Sequence, residues 1–311
     1  MNIAMNTTMA GEYNLVITST DGTVRETGWF PNLILNQGLN RFGDSASAAN
    51  PFYYASIGTG NSTPVATQIT LDTPVAYSAI NYNTDTVTYA GSPSYAVTHT
   101  MPYTFAQGAV VGNMAEVGIG STNTTGSLFS RALILDTNSN PTTITLTSLD
   151  QLTIYYKLTI NPPIVDGTGT VVLNSITYNY TTRLLAAGTF CSSINSSGGG
   201  AFSYPYSNAT SNGASTYAAG AALAAITAAS PTGTTSGTYT DPTTATYVAN
   251  SFSRTAIVTW TPTQGIETGG IQAIKLIFNN VTVNFQIVFD KPIPKLNTTT
   301  LTLNFVFSWS R

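Results

Sequence analysis

Two segments of the chain have apolar side chains at every second position, separated mostly by polar ones. Apolar residues occupy every second position from Leu152 to Ile160, and the same period runs from Leu301 to Trp309. Successive side chains of a β-strand point to opposite faces of a sheet, so a period of two predicts a strand with one buried and one wetter face. Both segments are therefore predicted to be half-buried strands, one near the middle of the chain and one at its end.

The segments upstream of these two strands also match each other. Three pairs of markers occur in the same order and at similar spacing: Gln107-Gly108 with Gln264-Gly265, Met114–Ile119 with Ile271–Leu276, and Phe129–Asp136 with Val283–Asp290. The first copy is longer, and Ser121–Gly126 is the natural place for its extra residues. Self-similarity of this kind indicates an internal duplication.

The prolines of Asn161-Pro162-Pro163 mark the boundary between the two copies. Proline supplies no backbone N–H to a strand ladder, and consecutive prolines form a stiff, extended connector. The sequence thus predicts an all-β fold of two tandem antiparallel β-sandwich domains, residues 1–162 and 163–311. We expect the two closing regions, 108–160 and 265–309, to superpose.

Two local signals lie in the first predicted domain. Asp21-Gly22 separates two strand-like runs, and both residues tolerate a positive φ, which suits a type I′ hairpin turn. Further along the chain, Asn36 is placed to cap one short helical turn.

The second predicted domain contains a long segment, residues 195–240, rich in Ser, Gly, Ala and Thr. It is too long for an ordinary connection and is expected to project as an arm or insertion. Tyr217–Ala229 within it is predicted to be an alanine-rich helix. We expect the arm to gain order by joining subunits, so deletion of Ser197–Gly237 should weaken assembly and leave both sandwiches folded.

Charge is scarce in this sequence. Only 7% of the residues are Asp, Glu, Lys or Arg, with 10 basic and 13 acidic residues and a net charge of -3, against roughly 25% charged residues in an average soluble domain. No basic cluster could neutralise a row of phosphates, so nucleic acid is not an expected partner. A nearly neutral surface is poorly protected against association, which favours a homo-oligomer or a ring of many copies.

Cysteine usage and the chain start indicate the compartment. Cys191 is the only cysteine, so no internal disulfide and no cysteine-based metal site are expected. Met1–Asn6 lacks the features of a signal peptide, and no apolar stretch approaches a membrane span. We therefore expect synthesis in a cytoplasm.

Candidate catalytic residues are few and isolated. His99 is the only histidine and has no visible partner in its predicted strand, which favours a structural residue over a catalytic base. A glycosidase needs two neighbouring carboxyl groups, yet the glutamates are far apart in sequence: Glu12, Glu26, Glu116 and Glu267. Four aspartates lie near predicted strand ends, where aspartate commonly accepts backbone hydrogen bonds in turns: Asp72, Asp136, Asp150 and Asp290.

Two motifs with possible chemistry lack the neighbouring residues that this chemistry would need. Gly58-x-Gly60 is like a fragment of a phosphate-binding loop, but the third glycine and the following long helix are missing, so a surface loop is favoured. Cys191 has no activating neighbour and is interpreted as an inert thiol. The sequence therefore predicts no catalytic residue, no cofactor and no metal site.

Paired tyrosines are the one feature that suggests recognition. Aromatic rings stack on sugars and anchor protein contacts. The structural alternative is that tyrosine is simply a good strand residue, and at Tyr178 and Tyr180 the spacing of two fits one sheet face. The candidate recognition residues are Tyr53, Tyr54, Tyr204 and Tyr206.

Four motifs follow one another in the first half: the Asn-Leu-Ile and Gly-Leu pattern within residues 28–39, Ile57–Pro64, Glu116–Ile119 and Leu128–Ala132. This ordered series, over roughly residues 11–160, resembles tail-fibre and tail-tip proteins of tailed bacteriophages. The resemblance implies a structural or adsorption part of the virion and brings no catalytic residues with it. The second half is similar to this family only through the internal repeat.

The resemblance leaves several roles open. The leading expectation is a virion structural protein in the tail, or one that links tail fibres to the tail, in contact with other virion proteins. The alternatives are a host-surface carbohydrate-binding adhesin and a capsid-associated or collar-associated decoration protein. A depolymerase is disfavoured because no paired-carboxylate site is visible.

Overall fold

A computed structural model describes residues 2–43, 50–81, 84–189, 212–236, 239–278 and 283–311. Strands dominate this part of the chain, and its helical structure comprises α1 (Asn36–Asn40) and a 3-10 helix (Ala187–Thr189). The predicted all-β class is therefore confirmed.

The strands fall into two groups, before and after Pro162-Pro163. The first group is β1 (Asn2–Ser19), β2 (Val24–Glu26), β3 (Phe30–Pro31), β4 (Leu33–Ile34), β5 (Tyr54–Gly58), β6 (Pro74–Ala79), β7 (Thr86–Tyr89), β8 (Val97–Phe105), β9 (Gly112–Met114), β10 (Glu116–Gly120), β11 (Leu128–Leu133), β12 (Ile144–Leu146) and β13 (Asp150–Asn161). The second is β14 (Gly167–Leu173), β15 (Ile176–Leu185), β16 (Asn212–Tyr217), β17 (Tyr239–Thr240), β18 (Thr243–Thr244), β19 (Ser253–Trp260), β20 (Ile271–Phe278), β21 (Val283–Ile293) and β22 (Leu301–Ser310).

A nine-stranded sheet contains strands from both groups, in the order β18-β19-β22-β1-β13-β8-β7, with β2 and β3 added beside β1. The long strand β1 lies at its centre. Residues Thr8–Ser19 of β1 pair antiparallel with β13, and residues Asn2–Thr8 pair parallel with β22. The alternation read from the sequence is present in both closing strands, since apolar side chains of β13 and β22 are buried at every second position.

Two smaller sheets provide the opposing layers. One has five strands in the order β4-β11-β10-β5-β6, and the other has six in the order β14-β15-β21-β20-β16-β17. Aromatic rings connect them to the large sheet: Phe129 of β11 lies 6.5 Å from Tyr156 of β13, and Phe285 of β21 lies 5.7 Å from Phe307 of β22, measured between ring centroids. The molecule is thus an all-β, multi-sandwich fold.

The two halves repeat one set of six antiparallel pairings. In the first half β11 pairs with β4 and β10, β10 with β5, β5 with β6, β13 with β8, and β8 with β7. In the second half β21 pairs with β15 and β20, β20 with β16, β16 with β17, β22 with β19, and β19 with β18. A duplication would produce this pattern, but the duplication itself and the superposition of the halves stay predictions.

The halves are joined by more than the connector at Pro162-Pro163. One contiguous apolar cluster contains side chains from both, including Tyr13 and Phe305. The indole N–H of Trp309 donates to the carbonyl of Leu39 at 2.7 Å, and the hydroxyl of Tyr247 bonds to the side chain of Asn40 at 2.7 Å. The tandem-domain prediction did not include this shared sheet and shared core.

Both local predictions in the first half need a correction. The hairpin at Asp21-Gly22 exists, but Gly22 alone has a positive φ, of 85°, and Asp21 instead accepts the Thr23 N–H, so the turn is not type I′. The helical turn also exists as α1, but its N-cap is Leu35 without a side-chain bond. The Asn36 side chain accepts a hydrogen bond from Arg311 instead.

The described part of the predicted insertion, residues 212–236 and 239–240, belongs to the second sandwich. Residues 190–211 lie outside the described residues, but β16 is an internal strand between β20 and β17. The helix predicted for Tyr217–Ala229 is wrong, because Gly220 adopts a φ of +91° and the chain after it is held in irregular turns. Deleting Ser197–Gly237 would remove the internal strand β16, so we no longer expect the second sandwich to stay folded after this deletion.

The position of β22 between β19 and β1 predicts the effect of a charge in this strand. Phe305→Asp or Leu303→Asp would bury an unpaired carboxylate and should lower the free energy of unfolding by more than about 4 kcal/mol. Both halves should lose stability together, because β22 belongs to the shared sheet. Thr302→Ser on the exposed face is the control and should stay within about 0.5 kcal/mol. Thermal melting followed by circular dichroism would measure this, and unchanged melting of either Asp variant would contradict it.

Candidate functional site

A buried ion-pair cluster lies on the outer face of the five-stranded sheet. Glu116 begins β10 and Arg131 lies in the middle of β11, and both side chains are 0% exposed. The guanidinium donates from Nε to Glu116 Oε2 at 2.9 Å, and its Nη2 lies 2.8 Å from Glu116 Oε2 and 2.6 Å from Asp72 Oδ2. Asp72, Glu116 and Arg131 are called the Arg131 cluster below.

Backbone donors surround the Glu116 carboxylate. It accepts the N–H groups of Gly60 at 3.0 Å, Asp72 at 3.0 Å and Thr73 at 2.8 Å. A Cβ added to Gly58 or Gly60 would come within 2.7 or 2.4 Å of Glu116 Oε1, so glycine is needed for this close approach. The Gly58-x-Gly60 motif therefore surrounds the Glu116 carboxylate of the same chain, and not a phosphate group.

The remaining hydrogen bonds of the cluster attach the segment between β5 and β6 to the sheet. Arg131 donates to Gln68 Oε1 at 2.7 Å and to the carbonyl of Ser62 at 3.2 Å. Desolvation raises the pKa of Asp72, but hydrogen bonds from Ser62 and the charge of Arg131 outweigh it and hold this pKa below its usual value. The Arg131 cluster therefore acts as a clamp, because its hydrogen bonds attach the segment between β5 and β6 to the sheet. The Glu116 side chain within it is fully buried.

The four motifs that carry the phage-tail resemblance meet at this clamp. Leu33 of the first motif is paired with Arg131 across β4 and β11. Gly38 packs so closely on β11 that an added Cβ would lie 2.2 Å from the Phe129 carbonyl oxygen. The other three motifs supply the cradle, Glu116 and Arg131. The motif series thus encodes one structural feature of the first half.

The second half attaches its corresponding segment with neutral chemistry. Gln286 of β21 is paired with Lys275 as Arg131 is paired with Gly118, which makes Gln286 the counterpart of Arg131 if the halves are a duplication. The marker alignment of Phe129–Asp136 with Val283–Asp290 instead assigned Phe285 to that place, one residue earlier. Gln286 is 0% exposed, accepts the Ala224 N–H at 2.9 Å and donates to the Ala224 carbonyl at 2.9 Å. This two-point attachment also explains why the alanine-rich segment is not a helix, since its backbone is pinned to the sheet.

A second buried carboxylate supports this arrangement in the second half. Glu267 accepts the Ser236 N–H at 3.0 Å and the Thr216 hydroxyl at 2.6 Å. Arg183 donates to the Ala224 carbonyl at 2.8 Å and forms a bidentate pair with Asp166, at 2.7 Å for each bond. Sequence reasoning noted the motifs that contain Glu116 and Arg131 but not that their side chains meet, and it missed the Gln286 attachment, whose partners Ala224 and Gln286 are 62 residues apart and carry no local motif.

The structure places only two of the four candidate recognition tyrosines. Tyr53 and Tyr54 contact each other edge to face, with ring centroids 4.8 Å apart, and Tyr53 is 38% exposed. Tyr204 and Tyr206 lie outside the described residues. Tyr178 and Tyr180 are both buried on the inner face of β15, which supports the structural reading of their spacing.

The isolated histidine has a partner that the sequence did not reveal. His99 Nε2 lies 2.9 Å from Asp85 Oδ2, and both side chains are nearly buried. Desolvation lowers the pKa of His99, and the neighbouring Asp85 only partly offsets this. The pair joins β8 to the segment before β7, as a structural histidine would. Cys191 lies outside the described residues.

All four singled-out aspartates accept backbone hydrogen bonds, as predicted. Asp136 binds the N–H groups of Asn138 and Asn140, and Asp72 binds that of Ser62. Asp150 accepts hydrogen bonds from the Ser19 hydroxyl and the Thr147 N–H, which hold its pKa at about 2. Asp290 does not accept a hydrogen bond within a turn: it accepts the backbone N–H of Asn179, which lies in the neighbouring strand β15.

The described residues contain no group of three or more His, Cys, Asp or Glu side chains that could hold a metal ion. In the same residues, no helix has the length and apolar character needed to cross a membrane.

The fold and the clamps define a multi-sandwich β-protein whose buried charges attach surface segments. Comparison with known proteins adds no relative, since no family model, no curated protein and no solved structure matches the chain.

The clamp makes a specific prediction about stability. Arg131→Met leaves the buried Glu116 carboxylate without its cation and should cost about 3–5 kcal/mol in the free energy of unfolding. Adding Glu116→Gln to this variant should recover part of the loss, because the uncompensated charge is gone. Lys157→Met is the control: it breaks a partly exposed pair with Glu12 and a cation–π contact with Trp29, and should cost no more than about 2 kcal/mol. Urea unfolding would measure all four proteins, and a small effect of Arg131→Met would show that the cluster is not a clamp.

Proposed function

We propose that the protein is a structural component of a tailed-bacteriophage virion, forming part of the tail or linking tail fibres to the tail. In this role it acts through protein contacts and without catalysis. Its partners are other virion proteins and further copies of itself, and it reaches the virion after synthesis in the host cytoplasm.

The convergence of the four tail-like motifs on the Arg131 cluster carries this proposal. The resemblance of these motifs to tail proteins gains weight if the motifs serve one purpose in this chain. Here they build one rigid attachment of a surface segment to a sheet. The ionisable groups of this site are buried, or engaged by hydrogen bonds, and serve the scaffold. A scaffold element of this kind is what an assembly part requires.

The outer face of the nine-stranded sheet adds support. It presents rows of threonines paired across neighbouring strands, with hydroxyl oxygens 3.0 Å apart at Thr98–Thr159, 3.2 Å at Thr104–Thr153 and 3.0 Å at Thr259–Thr302. Neutral hydroxyls lose less on burial than charged groups do. Such a face is suited to being covered by a neighbouring protein in a particle.

Labelling of particles tests the proposed location. An antibody raised against the purified chain, detected with gold on negatively stained particles, should label the tail or the fibre attachment region. The control is the same antibody after absorption with the purified protein. Label on the head or collar would favour a decoration protein, and the absence of the chain from gradient-purified particles, checked by mass spectrometry, would remove the proposal.

The contact between Tyr53 and Tyr54 favours one second candidate, a host-surface carbohydrate-binding adhesin. An exposed ring held by its neighbour is preorganised for stacking on a sugar face. If this is the function, the protein should bind on a glycan array, and Tyr53→Ala should abolish that signal. Tyr89→Ala, which removes an even more exposed tyrosine in β7, should leave it unchanged. An array without signal above background would argue against the adhesin.

A further inference from the structure

One sheet edge of the described chain differs from all the others. The edges formed by β4, β17 and β18 are two residues long, and β7 has four. The edge strand β6 begins with a proline, and its pairing with β5 contains a register shift. The strand β14 has seven residues in regular pairing and contains no proline and no charge. Short length, proline, charge and bulges are the devices that keep edge strands from pairing with other chains, and β14 has none of them.

The turn after β14 shows which backbone groups face outward. Asn174 and Ser175 both have positive φ, 47° and 63°, which is the two-residue turn of a tight hairpin closed by Leu173 and Ile176. The closing pair exchanges hydrogen bonds, and bonded residues then alternate along the strand. The N–H and C=O groups of Thr168, Thr170 and Val172 therefore point away from β15. No hydrogen bond from the described residues reaches these groups.

We propose that β14 pairs with β14 of a second copy of this chain, antiparallel and about a two-fold axis through Thr170. This axis is perpendicular to the sheet, so the two six-stranded sheets join into one continuous sheet. Their inner faces stay on the same side, each still covered by its own nine-stranded sheet. The interface is isologous, as in most homodimers.

The side chains along the edge fit this arrangement. Thr170 meets Thr170 of the other copy, Thr168 meets Val172, and no like charges are opposed. At one end of the strand Val165 is 79% exposed, and at the other end Ile176 is 45% exposed. Antiparallel pairing about Thr170 places the Val165 end of one copy beside the Asn174-Ser175 turn of the other copy, so the exposed Val165 side chain gains a neighbour there.

This proposal rests on the edge geometry and stands apart from the proposed function. It also moves the expected subunit contact away from the 195–240 segment and onto β14. Purified protein is sufficient to test it, so its failure and the failure of a tail location give different results.

Cysteine cross-linking tests the register. In a Cys191→Ser background, Thr170→Cys should form a disulfide-linked dimer with oxidised glutathione, because Cα atoms of a directly opposed pair lie about 5.5 Å apart, within disulfide range. The matched control is Thr168→Cys, on the same strand and the same face. Its copies would be four positions apart along the strand, about 13 Å, and should stay monomeric. Combining Thr168→Cys with Val172→Cys should restore the cross-link.

Sedimentation velocity tests the association itself. The parent protein should sediment as a dimer or a larger assembly built from dimers, and Thr170→Lys should remove that dimer by placing two ammonium groups opposite each other. Thr88→Lys, an exposed threonine on the edge strand β7, is the matched control and should leave association unchanged. Thermal melting of both variants would check that they remain folded.

Three results would overturn the proposal. The first is a monomeric parent protein with no cross-link at Thr170→Cys. The second is equal cross-linking of Thr170→Cys and Thr168→Cys, which would indicate random collision. The third is a monomeric parent protein whose entry into particles is blocked by Thr170→Lys, which would assign the edge to a strand of a different protein.

Discussion

The structure depends on the pairing of β1 on both of its sides. Every backbone group of a central strand needs a hydrogen-bond partner, and an eighteen-residue strand needs more partners than one half of this chain supplies. Antiparallel β13 takes one side through the strand's later residues, and parallel β22 takes the other side through its first residues. The shared sheet, the contiguous core and the contacts of Trp309 with the first half all follow from this arrangement.

Local patterns in the sequence predicted local structure well. Alternation identified β13 and β22 because a period of two results directly from strand geometry. The Asp21-Gly22 hairpin was found, although its turn type was not, because Asp21 uses its side chain to bind the Thr23 N–H. The alanine-rich segment after Tyr217 was misassigned because helix propensity is weak compared with tertiary attachment. Nothing within that segment indicates that Gln286, far along the chain, binds the backbone of Ala224.

The contacts within the Arg131 cluster could not be predicted from the sequence either, because they too depend on the tertiary structure. Asp72, Glu116 and Arg131 meet because three strands and one surface segment come together, and each residue alone looks like an isolated charge. The His99–Asp85 pair is a similar case. The tail-like motif series did point to the right segments, but the purpose of its glycines became clear only when Gly58 and Gly60 were seen against the Glu116 carboxylate.

The two halves attach a surface segment to a sheet with different chemistry, an ion-pair cluster around Arg131 in the first half and the neutral amide of Gln286 in the second. Arg131 uses charge and requires two carboxylates nearby, whereas Gln286 uses a neutral amide with one donor and one acceptor directed at a single residue. Buried ion pairs are costly to desolvate, and neutral replacements are often as stable. The net stability that the clamp adds to the first half is therefore smaller than the cost of removing one of its partners.

The parallel pairing of β1 and β22 also constrains the order in which the chain can fold. Ile3 finds its partner Phe305 only after the chain has been synthesised as far as residue 305. Contacts between residues so distant in sequence form slowly, because the chain loses the entropy of closing a long loop before the contact stabilises it. Until then, residues Asn2–Thr7 of β1 have no strand partner, and a nascent chain with an unpaired strand is prone to pair with the wrong partner. Completion of the central sheet is thus a late step that locks together two halves whose local hairpins can form much earlier.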